Sequence, residues 1–383
     1  SNLWVGTDQE GLKWRDPVSQ RFVGYTNQVL DLHSLSDNQV NAIWVDRTGT
    51  LWVGTNLGGV NRADLASGGF GRFTILPVAG EQPGARKVRS IAAGADGRLW
   101  LATTGAGLVH LDPISGRAEQ FRHDPARSDS LPDDVIITVL PGRGRLWVGT
   151  HNGLAWMDLA TKRFTPVSLS SESDANSVVT LMFDHRGRLW IGTRNGLFML
   201  DVDSGRLSAW RHDPADPDSL GENMIYTLLE DHTGTIWVGT ENGLDRFDPA
   251  TRKFAHFRHD PHDPGSLGHN RIYDLYESAR NELWVGTAAG LHRMERGADG
   301  RIRFRLFPVI AGREQVPIGS ILEDGKGELW VSTTVGLTRL DPVTGHFKNY
   351  TAKDGLIDGS YFVGSAAVGA DGELHFGGVN GMT

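Results

Sequence analysis

The chain has 383 residues and carries 46 acidic against 38 basic side chains, a formal net charge of −8. This acidic balance argues against nucleic acid as a partner, and the absence of cysteine excludes disulfides, thiolate metal sites and cysteine nucleophiles. Hydrophobic residues at 39% indicate a globular protein, while no apolar run has the roughly 20 residues of a membrane-spanning helix.

One pentapeptide recurs along the whole chain. The sequence LWVGT begins at Leu3, Leu51, Leu146 and Leu283, and variants begin at Leu99, Leu189, Ile236, Leu329 and Leu374. Successive second positions, Trp in eight copies and His375 in the last, lie 48, 48, 47, 43, 47, 47, 46 and 45 residues apart. A period of this length indicates a repeat architecture in which each unit packs on its neighbours.

Each period predicts four short strands and no helix. In residues 223–260, NMIYTLLED and TIWVGT alternate as strands around the turn HTG, and GLDRFD and KFAHFRHD follow around the turn PATR. Four antiparallel strands per period are typical of a propeller blade. The fold class is therefore all-β, a single β-propeller over residues 1–383 with about eight repeats of 43–48 residues.

Two ring sizes remain open. Residues 362–369 could join the N-terminal strands at 3–7, 11–15 and 21–26, which closes eight blades, the favoured count. Alternatively, seven blades close and the remainder belongs to a neighbouring propeller.

The first strand of each period is expected to line the central channel. Ten residues before the second-strand Trp (or His375), the side chains are short and mostly polar: Ala42, Ser90, Thr180, Thr227, Asp274, Ser320 and Ser365. One residue earlier they diverge: Asn41, Arg89, Val179, Tyr226, Tyr273, Gly319 and Gly364. The recurrent Trp residues are instead predicted to be core.

The segment that begins at Ile236 resembles a known repeat. LWVGT-like strands followed by xxGL turns, and the connecting segment RHDPxxPxSL at 211–220 and 258–267, are similar to the two-component regulator propeller repeat. The resemblance implies a piece of a longer extracytoplasmic sensor region, as in bacterial hybrid histidine kinases, and a periplasmic location. A membrane would then be reached only through segments outside this sequence.

Repeated His-Asp pairs do not predict chemistry. The pairs at 123–124, 212–213 and 259–260 recur in the same loop of different blades, and Asp-Pro is a turn starter. No nucleophile elbow, HExxH motif or phosphate loop occurs. We therefore expect no catalytic residue, no metal site and no cofactor.

Departures from the repeat predict a ligand site at one mouth of the channel. The segments 77–88 and 308–318 replace the usual connecting loop and bring basic residues. With residues that follow the second strands and tyrosines near the channel, they predict a polar, partly aromatic surface suited to saccharides. The candidate ligand-binding residues are Asn41, Arg86, Arg89, His151, Arg194, Tyr226, Glu241, Tyr273, Asp274 and Tyr361.

These patterns favour a non-enzymatic sensor that binds a small molecule or oligosaccharide and signals to a downstream kinase. One alternative is an interaction scaffold that contacts a second propeller or forms a homodimer. A streptogramin-lyase-like enzyme ranks third, because fold alone does not determine function.

Overall fold

The computed structural model describes residues 3–15, 22–27, 34–35, 38–45, 50–55, 60–64, 87–112, 117–170, 177–310, 312–313, 315–354, 356–357, 360–369, 372–379 and 381–383. Contacts divide the chain into two compact units, residues 1–71 and 72–383, where the sequence analysis expected one propeller. Apart from a single 3-10 turn at Ala352–Asp354, the regular elements described are all β-strands. No helix in these ranges is long and apolar enough to cross a membrane.

The unit of residues 1–71 contains two antiparallel sheets in its described part. The strands are β1 (Leu3–Gly6), β2 (Leu12–Arg15) and β3 (Phe22–Tyr25) in one sheet, and β4 (Val40–Val45), β5 (Thr50–Thr55) and β6 (Val60–Asp64) in the other. The Val40 amide donates to the Thr7 carbonyl across them at 2.9 Å. Leu12, Leu35 and Leu51 belong to their shared buried core, so the two sheets pack as neighbouring blades do.

In the described residues of the unit 72–383, seven sheets form, each with consecutive strands paired antiparallel. Sheet 1 has β7 (Val88–Ala93), β8 (Leu99–Thr103), β9 (Leu108–Leu111) and β10 (Ala118–Phe121); sheet 2 has β11 (Ile136–Gly142), β12 (Arg145–Thr150), β13 (Gly153–Asp158) and β14 (Phe164–Val167). Sheet 3 has β15 (Val178–Phe183), β16 (Leu189–Thr193), β17 (Gly196–Leu200) and β18 (Leu207–Trp210); sheet 4 has β19 (Ile225–Glu230), β20 (Ile236–Thr240), β21 (Gly243–Asp248) and β22 (Lys253–Phe257). Sheet 5 has β23 (Ile272–Glu277), β24 (Leu283–Thr287), β25 (Gly290–Arg296) and β26 (Ile302–Phe307); sheet 6 has β27 (Ile318–Glu323), β28 (Leu329–Thr333), β29 (Gly336–Leu340) and β30 (Phe347–Tyr350). Sheet 7 has β31 (Tyr361–Val368), β32 (Leu374–Gly378) and β33 (Gly381–Met382).

The first strands of these seven sheets form a closed ring. Each contacts the first strand of the next sheet, and β31 of sheet 7 contacts β7 of sheet 1. At this closure the Ser365 hydroxyl donates to the Val88 carbonyl at 2.9 Å. The β-propeller prediction is confirmed, and the ring has the seven blades of the second alternative. The expected partner strands of 362–369 are not the N-terminal ones, because β31 pairs with β32 in its own sheet.

Large apolar side chains between neighbouring sheets hold the ring together. Trp147 of sheet 2 packs in one core with Val178 of sheet 3, and Trp190 of sheet 3 packs with Ile225 of sheet 4. Both indoles are about 1% exposed. A blade alone would leave these aromatic surfaces in water, so burial against the next sheet explains why the repeats fold only as an array.

Glycine is required at two positions of the repeat for different structural reasons. A Cβ at Gly239, in the pentapeptide, would come within 2.9 Å of Ile272 on the next sheet, so this glycine permits close approach of the sheets. Gly243, in the following turn, has a φ of +126°, and a Cβ there would lie 2.8 Å from the Phe257 carbonyl oxygen. Only glycine adopts that backbone without strain.

Candidate ligand-binding site

A β-bulge near the start of the first strand positions the site. In sheets 1 to 5 the pairing of the first two strands shifts by one residue there. The unpaired residues are Arg89, Ile137, Val179, Tyr226 and Tyr273. Bulges re-aim side chains and are frequent beside functional sites. Arg89, Val179, Tyr226 and Tyr273 occupy the repeat position at which the side chains diverge in the sequence. The bulge leaves this same position without a partner residue on the second strand.

These residues line a cavity of about 480 Å³ at the centre of the ring. Three successive residues from each of five first strands contribute to its wall. The bulged residues are followed by Ser90, Thr138, Thr180, Thr227 and Asp274, and then by Ile91, Val139, Leu181, Leu228 and Leu275. The predicted short polar residues of the channel wall in sheets 1, 3, 4 and 5 therefore do line it. Volume and mixed lining suit a small polar ligand.

Tyrosines on one side of the cavity are fixed by a charged network. The Tyr226 hydroxyl donates to Glu241 Oε2 at 2.5 Å, and Arg271 Nε donates to Glu241 Oε1 at 2.8 Å. Tyr226 and Tyr273 meet edge to face with ring centroids 5.5 Å apart. Burial alone would raise the pKa of Glu241, but the hydrogen bonds from Arg271 and Tyr226 outweigh it and lower that pKa. The carboxylate stays ionised and holds the Tyr226 ring, while Arg271 Nη1 donates to the Tyr273 hydroxyl at 3.4 Å.

Asp274 lies deeper in the same wall. Its Oδ2 accepts the Ile321 amide of sheet 6 at 2.8 Å, so the side chain links two first strands. Part of its surface faces the cavity, yet protein surrounds the carboxyl group, and burial raises its pKa from 3.8 to about 7 against the opposing hydrogen bonds from Ile321, Leu275 and Thr227. This carboxyl group can therefore carry a proton near neutral pH.

Two arginines also line the cavity. Arg89 is half-buried, and its guanidinium lies 4.9 Å from the centre of the Phe362 ring. Arg194 follows β16 and also lines the cavity. Burial, and after it the positive charge of Arg194, lowers the pKa of Arg89. The lining thus places two cationic groups near each other.

The other predicted residues lie elsewhere. His151 is exposed after β12, and its Nδ1 is 3.4 Å from the Ser177 hydroxyl. Tyr361 is buried against Phe376, away from the cavity, because the pairing of β31 shifts and presents the next residue, Phe362, to the lining. Asn41 is exposed in the unit of residues 1–71, and Arg86 lies outside the described residues.

Two contributors were missed in the sequence. Arg271 immediately precedes β23, and the bulge at Tyr273 interrupts the regular alternation of side chains there, so the pairing of Arg271 with Glu241 could not be inferred from spacing. Phe362 had no signal either, because its orientation depends on the irregular pairing of β31. Only the three-dimensional register of sheet 7 reveals it.

The His-Asp pairs are structural, as predicted. Nδ1 of His212 bonds to the Leu220 carbonyl at 2.8 Å, and the Asp213 amide donates to the Ser219 hydroxyl at 2.9 Å. The same contacts recur in the loops that begin at His123 and His259. The recurrent residues of RHDPxxPxSL thus close the loop on itself before the first strands of sheets 2, 4 and 5.

Comparison with known proteins agrees with this architecture. The extracellular domain of a putative hybrid two component system from B. thetaiotaomicron matches with a TM-score of 0.77 and 22% identity, over 100% of this chain and 49% of that one. The extracellular domain of a putative one component system from B. thetaiotaomicron matches with a TM-score of 0.64 and 22% identity, over 100% of this chain and 51% of that one. Virginiamycin B lyase from Staphylococcus aureus matches with a TM-score of 0.58 and 13% identity, over 80% of this chain and 96% of that one.

The chain spans about half the length of the first two structures. A search of curated proteins finds no significant match. The family model described as two component regulator propeller matches residues 173–195, 219–242 and 266–289, which cover the first two strands of sheets 3, 4 and 5 with their preceding loops. The predicted resemblance to the two component regulator propeller repeat is therefore confirmed for these three segments.

Proposed function

We propose that the propeller is the extracytoplasmic, ligand-binding part of a two-component sensor, and that its cavity takes a saccharide or another small polar molecule. The observation that carries the proposal is the wall of this cavity. Aromatic rings, hydroxyls and guanidinium groups converge there, and Glu241 and Arg271 hold the tyrosines before any ligand arrives. Preorganisation of this kind reduces the entropic cost of binding.

The location and output are part of the same proposal. Support comes from the three segments that match a family named for two-component regulators, and from solved structures of similar fold, which include extracellular domains. A ligand-induced change in the ring would be passed to a kinase elsewhere in the full-length protein, in the periplasm or at the cell surface.

The scaffold alternative has less support from the described residues. Among the large exposed apolar side chains of the ring, Leu159, Leu306 and Val368 lie on different sheets, while Val335 and Val343 lie in two separate turns of sheet 6. Single exposed apolar residues are normal on soluble proteins, whereas docking surfaces usually present a contiguous patch. The cavity is the more specific feature, so we favour ligand sensing.

A thermal-shift screen tests the proposal. Neutral and acidic oligosaccharides are added to the protein, and a ligand that binds only the folded state must raise the melting temperature. We expect at least one compound to give a dose-dependent rise that Tyr273→Ala abolishes. Tyr350→Ala, which removes a ring stacked on Trp330 outside the cavity, should leave the rise intact. A flat screen, or a rise that survives Tyr273→Ala, contradicts the proposal.

A further inference from the structure

The cavity differs in charge from the rest of the molecule. The chain has a net charge of −8, yet the lining contains two arginines and a single acidic residue, Asp274. Burial raises the pKa of that carboxyl group to about 7, which removes part of its negative charge at neutral pH. The wall of the cavity is therefore cationic in an acidic protein.

Arg89 and Arg194 also differ from other arginines of the ring. Arg271, Arg293 and Arg303 each form an ion pair with a carboxylate of the same unit. Within the described residues, no carboxylate lies within ion-pair distance of the Arg89 or Arg194 guanidinium. Hydration can account for this at Arg194, which is exposed, but Arg89 is half-buried against Phe362.

Two like charges that share a cavity repel each other, and burial of one adds a desolvation cost. Both costs fall when an oxyanion binds between them, because a guanidinium offers planar pairs of N–H donors that match carboxylate and sulfate oxygens. Such unpaired, perturbed groups in a cavity are characteristic of functional sites.

We propose that Arg89 and Arg194 form an oxyanion subsite, so that the ligand of this cavity is an acidic sugar-sized molecule and not a neutral one. The inference rests on the proposed ligand-binding function. Tyr226 and Tyr273 of the same lining would contact the less polar body of the ligand, and the arginines would hold its acid group. The shared chemistry is an oxyanion, whether carboxylate or sulfate.

Calorimetric titration with matched probes tests the subsite. Glucuronate is compared with glucose, galacturonate with galactose, and inorganic sulfate is used alone, all at constant ionic strength. Each uronate should bind about tenfold or more tightly than its neutral hexose. Arg89→Gln and Arg194→Gln should each remove this advantage. Arg206→Gln, at an exposed position in the turn after β17, is the matched control and should change nothing.

Each outcome of the titration either supports or overturns the oxyanion subsite. Equal affinities within each pair, unchanged uronate binding in both cavity variants, or no binding of uronates or sulfate at millimolar concentration overturns the subsite. If neutral oligosaccharides still raise the melting temperature through Tyr273 in that case, the ligand-binding function stands and only the acidic class is wrong. Binding of uronates that is lost with either arginine supports both.

Discussion

At the scale of single residues, Asp274 couples the ring to pH. Its pKa in the folded protein, about 7, is above the ordinary value of 3.8, because burial disfavours the ionised form. The folded state therefore holds the proton more tightly than the unfolded chain does. The resulting stabilisation is complete below about pH 4 and is lost as the pH rises through about 7.

Asp274→Asn should remove this dependence. The amide oxygen can still accept the Ile321 N–H, but the side chain no longer ionises. At pH 8 we expect the variant to be more stable than the wild type, by at most about 4 kcal/mol. Melting temperatures between pH 4 and pH 8 measure it. Asp299→Asn, an exposed carboxylate paired with Arg303, should keep the wild-type slope; the same slope in Asp274→Asn would contradict the assignment.

Half of the predicted site residues line the cavity: Arg89, Arg194, Tyr226, Tyr273 and Asp274. Arg89, Tyr226 and Tyr273 stand out in the sequence because they diverge at one fixed position of a regular repeat. The physical reason lay beyond the pattern, since a bulge depends on how two strands pair and leaves no composition signal of its own. Tyr361 shows the limit: its strand pairs irregularly, and the neighbouring Phe362 lines the cavity instead.

At the scale of the strand pair, an aspartate six residues before the second-strand Trp satisfies its indole N–H. Asp231 accepts from Trp237 Nε1 at 2.8 Å and also from the Thr233 and Thr235 amides of the turn. Asp184 and Asp324 make the same contact with their own Trp. The sequence predicted that the indole needs a partner but not which residue supplies it.

Sheet 5 lacks this arrangement. Ser278 replaces the aspartate, and the Trp284 indole N–H, which is fully buried, has no hydrogen-bond partner among the described residues. A buried donor left unpaired costs about 1–3 kcal/mol. The Trp284 ring is therefore held by contacts to its faces and edges, among them Phe307 at 4.9 Å between ring centroids and the Arg293 guanidinium at 5.8 Å, and not through its N–H.

Substitutions at these two turn positions, Ser278 and Asp231, test whether the aspartate stabilises the buried indole. Ser278→Asp should provide the missing acceptor and stabilise the protein by about 1 kcal/mol, while Asp231→Ala should destabilise it by about 1–3 kcal/mol. Chemical denaturation followed by tryptophan fluorescence measures both. Ser278→Ala serves as the control for loss of the serine hydroxyl. A destabilising Ser278→Asp, with a neutral Asp231→Ala, would show that the contact is incidental.

At the scale of the whole molecule, the period determined the architecture, but ring size required long-range contacts. Nine copies of the pentapeptide are compatible with seven or eight blades, because a motif count does not say which sheet edges meet. The contact that decides the number of blades in the ring joins Ser365 to Val88, which are 277 residues apart. Local sequence cannot reveal such a pairing.

The closure should be sensitive to a single methyl group. A Cβ at Gly377, in sheet 7, would lie 2.8 Å from both the carbonyl oxygen and the Cγ1 atom of Val88. Val88 belongs to sheet 1, on the other side of the closure. Gly377→Ala should therefore destabilise the ring by about 1–3 kcal/mol through overpacking. Gly325→Ala, at a turn where a Cβ meets nothing within 4 Å, is the matched control. Equal melting temperatures for the two variants would contradict the importance of this closure.

The seam between sheets 7 and 1 also bears on the order in which the ring can assemble. Ser365 and Val88, which meet there, are 277 residues apart in the chain. Other neighbouring sheets of the ring follow one another in sequence, so their contacts close much shorter loops. Closing a longer loop has a larger entropic cost. The contact between β31 and β7 should therefore form last when the ring folds and open first when it unfolds.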